Sequence, residues 1–159
     1  MNFNNFTIKS QEAVQEAVNL VQSRGQQAIE PEHLMAGLLK VGENVTNFIF
    51  QKLGINGQQI ETVLDRQIAS LPKVSGGEAY LSRSANEVLQ KALEVSKELG
   101  DEYVSLEALL LALLNVKSTV ATILKDAGLT DKELRAAIHC SYLPARSTSS
   151  VGQTKVRPV

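Results

Sequence analysis

His33, His139 and Cys140 are the only soft metal ligands in the chain, and a structural zinc usually takes four such ligands. His139 and Cys140 are neighbours, so on a helix their side chains point about 100° apart. A catalytic Cys–His pair needs both groups within hydrogen-bond reach and a third group to orient the base. The pair therefore reads as two residues at the end of a last helix. His33 falls in the first turn of a helix, where it reads as a packing or capping group rather than a base. Phosphate chemistry is also unsupported. A cradle of the form Gly-x-x-x-x-Gly-Lys-Ser/Thr uses its lysine to neutralise phosphate charge, whereas Gly76-Gly77 is followed by Glu78. Glu12, Glu16, Glu87, Glu94 and Glu98 sit at helical spacings and read as solvated faces, not as an acid–base pair. The expectation is a chain that is not an enzyme and binds no cofactor, nucleotide or metal.

Composition narrows the class further. The 159 residues suit one compact domain. Hydrophobic residues make up 43%, aromatics only 4%, and tryptophan is absent. The core must come from Leu, Ile, Val and Ala, which suits packed helices. The formal net charge of -1 gives no electrostatic footprint for nucleic acid or an anionic membrane, and no Arg/Lys-rich helix face suggests a helix-turn-helix DNA binder. No apolar run reaches the roughly 18–20 residues that span a bilayer. Met1–Phe6 has no basic stretch leading into an apolar one, so no secretory signal is read there. A single cysteine makes no internal disulfide, and a cytoplasmic protein is the simple expectation.

The elements that carry these residues come in two copies. At an offset of 75 positions, Gln15, Ala17, Gly25, Glu32, Leu34, Leu38 and Leu39 fall on Gln90, Ala92, Gly100, Glu107, Leu109, Leu113 and Leu114. After a slip of one residue, Phe50, Gly54, Ile55 and Ile60 fall on Leu124, Gly128, Leu129 and Leu134. The units run from about 6 to 70 and from about 81 to 142. The segment 71–80 links them, and 143–159 reads as a disordered tail without a periodic apolar face.

Each unit reads as four helices. The first starts after a hydroxyl cap, Thr7 or Ser82, repeats apolar residues at helical spacing, and stops at Gly25 or Gly100, where glycine tolerates the left-handed conformation. The second opens at Glu30-Pro31-Glu32 or Ser105-Leu106-Glu107. Proline suits the first helical position, and the glutamates complement the positive helix end. The third covers roughly 44–53 or 117–127 and ends at Gly54 or Gly128. The fourth is capped by Asn56, or by Thr130 in a capping box with Glu133. Nothing alternates with period two over a useful length, so no sheet is expected. The predicted fold class is all-α, with two tandem pseudo-symmetric four-helix repeats in one globular domain.

A duplicated four-helix unit whose second helix opens with Ile29-Glu30-Pro31-Glu32-His33-Leu34-Met35 resembles the Clp N-terminal repeat domain. The second copy, Val104-Ser105-Leu106-Glu107-Ala108-Leu109-Leu110, keeps the pattern but has Ala108 in place of the histidine. The segment Leu71-Pro72-Lys73-Val74-Ser75-Gly76 is closest to the ClpB-type disaggregase branch. The resemblance covers about residues 1–140. It implies a domain that binds unfolded or aggregated protein clients for a Clp ATPase ring. It also implies that client segments contact Thr7, Asp101 and Glu107, with an apolar groove along the seam between repeats for which Leu89, Leu93 and Leu110 are candidates. Simpler roles stand beside these: Thr7 is a helix cap, Glu107 complements a helix dipole, and the leucines suit a core. The alternative function is a stand-alone adaptor or regulatory subunit that docks on a Clp ring.

Overall fold

The computed structural model describes residues 3–74 and 77–147, with side chains described as far as residue 140. Repeat one holds α1 (Ile8–Ser23), β1 (Ala28–Ile29), α2 (Pro31–Val41), α3 (Glu43–Leu53) and α4 (Gly57–Ser70). Repeat two holds β2 (Tyr80–Leu81), α5 (Arg83–Glu98), α6 (Leu106–Asn115), α7 (Thr119–Asp126) and α8 (Asp131–Ser147). The expected all-α class and the four helices per unit are both present.

The start signals work as their chemistry requires. The Thr7 hydroxyl accepts from the Ser10 N–H at 3.1 Å, and the Ser82 hydroxyl from the Ala85 N–H at 3.0 Å. Asn56 accepts from the Gln59 N–H at 3.2 Å and Ser105 from the Ala108 N–H at 3.1 Å. Each bond satisfies an amide that the first turn leaves without a helical partner. The Thr130 box is only half formed: its hydroxyl accepts from the Glu133 N–H, but the Glu133 carboxylate accepts from that hydroxyl rather than from a backbone amide. α1, α3, α5 and α7 are all followed by glycines with φ between 69° and 103°.

The two repeats are interleaved. α2 and α6 pack together at the centre, and α6 is buried almost all round, from Leu106 to Leu114. The third helix of each repeat packs on the fourth helix of the other, α3 on α8 and α4 on α7. Gly37 lets α1 and α2 cross closely, because a Cβ there would collide with the Ala13 carbonyl oxygen. The core is accordingly Leu, Ile, Val and Ala, with few aromatics.

The expectation of no sheet is corrected. β1 pairs with β2 in parallel, Ala28 with Tyr80 and Ile29 with Leu81, and an isolated parallel bridge joins Phe6 to Val104. Two residues are too few to alternate visibly, so periodicity had nothing to detect. The linker is tied down on both sides of 75–76. The Val74 N–H donates to Gly25 O at 3.0 Å and the Tyr80 N–H to Gln27 O at 3.1 Å. α8 continues to Ser147, past the boundary drawn at 142. The remainder of the expected tail, 148–159, lies outside the described residues.

Candidate functional site

The Phe6–Val104 bridge brings the start of the chain to the start of α6. The Thr7 N–H donates to Val104 O at 3.0 Å, and the Val104 N–H donates to Asn5 O at 2.7 Å. The N-terminus of α1 is thereby held beside that of α6. Gly100, at φ 78°, turns the chain out of α5, and the Asp101 N–H is fixed on Ser96 O at 2.8 Å. Asp101 then lies close enough to Glu107, in the first turn of α6, for its charge to act on it. Thr7, distant in sequence, is thereby brought beside the segment that carries Asp101 and Glu107.

Their chemistry differs. The Thr7 hydroxyl is engaged inside α1, accepting from the Ser10 N–H and donating to Ser10 Oγ at 3.0 Å. It positions the helix more than it offers a free donor. Burial pushes the Glu107 carboxyl above the usual carboxylate range. Its own backbone N–H and the Ser105 side chain act against that rise, and the Asp101 charge adds to it. Two crowded carboxylates favour a ligand that brings positive charge or N–H donors.

Of the apolar candidates, Leu89 and Leu110 are 0% exposed and belong to the core, not to a groove wall. The reason is packing. Leu89 lies on the buried stripe of α5 with Val88, Ala92 and Val95, and Leu110 lies on a helix surrounded on every side. Leu93 is half-buried against that core. The exposed apolar side chains beside the polar trio are different ones. Ile8, next to Thr7, is 74% exposed, and Tyr103, next to Val104, is 48% exposed. Sequence reading passed them over because each stands alone, outside any periodic stripe. The available signal was a large apolar residue immediately beside a cap or a strand-like segment.

The matching corner in repeat one is built from Ser82, Gln26 and Glu32, which occupy the repeat positions of Thr7, Asp101 and Glu107. It is closed. The Glu30 N–H donates to His33 Nδ1 at 2.9 Å, which leaves the His33 proton on Nε2, donated to Gln26 Oε1 at 2.7 Å. Gln26 Nε2 in turn donates to Ile68 O at 2.7 Å, binding the end of α4. Gln26, Glu32 and His33 are all buried. His33 is thus the capping and packing group that its position suggested. Ala108, at the histidine's repeat position, can make no such bonds, and Asp101 is partly exposed where Gln26 is buried. His139 and Cys140 sit exposed on α8.

The interleaved pair of four-helix repeats is the fold of a known domain class. The Clp repeat (R) N-terminal domain family model matches residues 5–127, and the chain belongs to that family. It is 79% identical over 139 residues to the chaperone protein ClpB of Bacteroides thetaiotaomicron, a match covering 87% of this chain and 16% of that protein. The chain thus spans about one sixth of the length of the curated relatives it matches. Among solved structures, the Hsp104 N-terminal domain from Candida albicans is similar with a TM-score of 0.75 at 23% identity, covering 87% of this chain and 92% of that one. A ClpV N-domain in complex with a VipB peptide is similar with a TM-score of 0.68 at 18% identity, covering 86% of each chain. These likenesses show the shared fold. Among the described residues, no single helix is long and apolar enough to cross a membrane.

Proposed function

We propose that this domain captures exposed stretches of unfolded or aggregated polypeptide in the cytoplasm and hands them to the motor of a ClpB-type disaggregase. The supporting observation is the Phe6–Val104 bridge, which brings Thr7 and the exposed Ile8 to the segment that carries Asp101, the exposed Tyr103 and Glu107. A client segment would lay apolar side chains on Ile8 and Tyr103 and present N–H or basic groups to the carboxylates. Thr7 would act by fixing the start of α1. The site does no covalent chemistry in this reading, and the domain is not an enzyme. The peptide-bound ClpV N-domain supports the reading by analogy of fold.

Capture of this kind is weak and broadly selective. Apolar burial is non-directional and contributes about 25 cal/mol per Å², and ordering a flexible client opposes it. Weak binding suits hand-over to a motor pore, and several domains tethered to one ring gain avidity through effective concentration. The test is titration of reduced casein into the domain, followed by amide chemical shifts. Shifts gathered at Thr7, Asp101, Tyr103 and Glu107 support the reading. Their absence at high micromolar casein overturns direct capture and leaves docking on a Clp ring as the role to test next.

A further inference from the structure

Repeat two closes one corner with an ionic network that repeat one lacks. Arg135 on α8 pairs with Glu98 on α5, Nη2 to Oε1 at 2.9 Å, and with Asp131, Nε to Oδ2 at 2.9 Å. Asn115 on α6 donates to Asp131 Oδ1 at 2.8 Å, and Lys91 acts on Asp131 through its charge. Under the repeat's register, Glu98 corresponds to Ser23, Asn115 to Lys40, Asp131 to Gly57, Arg135 to Glu61 and Lys91 to Glu16. All five repeat-one positions line a cleft of about 740 Å³ bounded by α1, α2, α3 and α4. Ser23 and Gly57 remove bulk that repeat two keeps, and Glu61 puts negative charge where the arginine stands.

The cleft is lined by half-buried Leu20 and Leu39 over the buried Phe50 and Leu64, with an acidic rim from Glu16, Glu43, Glu61 and Asp65 against Lys40. Lys40 Nζ lies 3.1 Å from Glu16 Oε2 across the mouth, and Arg24 Nη2 lies 3.9 Å from Asp65 Oδ1 at the edge. Glu43 and Glu61 make no ion pair among the described residues.

We propose that this cleft docks a linear segment of a partner polypeptide carrying arginine next to a large apolar side chain. The guanidinium pairs with Glu61, which stands at the repeat position of Arg135, and the apolar neighbour covers the half-buried Leu20 and Leu39. Charge complementarity chooses the occupant. Glu16 and Glu61 stand where repeat two carries Lys91 and Arg135, so the cleft reverses the charge of that corner, and Glu43 and Glu61 make no ion pair among the described residues. The cleft lies well along α1 from Thr7, so it is a second surface, independent of the client site proposed above.

The test uses a fluorescein-labelled peptide with the core Leu-Arg-Phe-Leu-Arg, and the same peptide with citrulline for arginine, followed by anisotropy and by amide shifts. The arginine peptide is expected to shift amides around Leu20, Phe50 and Glu61. Citrulline, or the paired change Ser23→Glu with Glu61→Arg, which transplants the repeat-two ion pair, is expected to weaken binding about tenfold or more. Glu61→Gln, nearly equal in volume, is read alongside and is expected to weaken it in the same direction. Equal affinity for the two peptides and for both variants overturns the proposal. So do shifts confined to Thr7, Asp101 and Glu107, which would make the peptide a ligand of the client site only.

Discussion

The backbone amide of Thr7 donates to the carbonyl of Val104 at 3.0 Å, and the bond has a pseudo-symmetric mate in which the Ser82 amide donates to Ile29 at 3.0 Å. In both, the cap of a repeat's first helix is held by the segment that leads into the second helix of the other repeat. The same exchange occurs in the α3–α8 and α4–α7 packing.

Neither repeat should therefore fold alone. Residues 1–75 expressed by themselves lose the partner strand of β1 and the helices that cover α3 and α4. Circular dichroism of each half is expected to show little helix, with helicity recovered when the halves are mixed. Cooperative melting of an isolated half would contradict the interleaved core.

His33 makes stability depend on acid. Burial, with a smaller contribution from the Arg24 charge, lowers its pKa from 6.5 to about 4. The unfolded chain then binds a proton at a pH where the folded chain does not. The stabilisation is full above about pH 6.5 and is lost as pH falls towards 4, amounting to about 3 kcal/mol at most. Protonation would also remove the acceptor for the Glu30 N–H. Glu32 and Glu107 act with the opposite sign: burial raises their pKa, so relative to the unfolded chain they lose stability as pH rises above the usual carboxylate range. Urea melts from pH 7 to 4 should show a shallower acid loss in His33→Gln than in the parent.

Gly37→Ala should destabilise by about 1–3 kcal/mol or more, as overpacking a close contact does. The added Cβ collides with the Ala13 backbone, which has no flexible end to move aside. Thermal melts check this. An unchanged Tm would mean that α1 and α2 separate at little cost.

Much of this architecture is legible in the residues. Thr7, Ser82, Gly25 and Gly100 mark the ends of the first helices because caps and left-handed glycines act locally, and the 75-residue register pairs the copies. Long-range backbone pairing is the part that was hidden. Ala28–Ile29 and Tyr80–Leu81 carry no pattern of their own, so the bridges that assemble the site emerge only in three dimensions. The polar trio was reached through the family resemblance, and the fold brings it together. Leu89 and Leu110 were misplaced because an apolar residue on a broad stripe looks the same in sequence whether it lines a groove or fills a core. Ile8 and Tyr103 escaped for the converse reason, being exposed apolar residues with no stripe to announce them.

The most direct test of client capture is the affinity of fluorescently labelled reduced casein for the parent domain and for Asp101→Asn combined with Glu107→Gln. Removing the crowded charges should leave the fold intact, and circular dichroism confirms that first. The account predicts binding weakened about tenfold, as loss of paired charges at an interface does. Unchanged affinity in a folded double variant would contradict it and remove these carboxylates from client recognition.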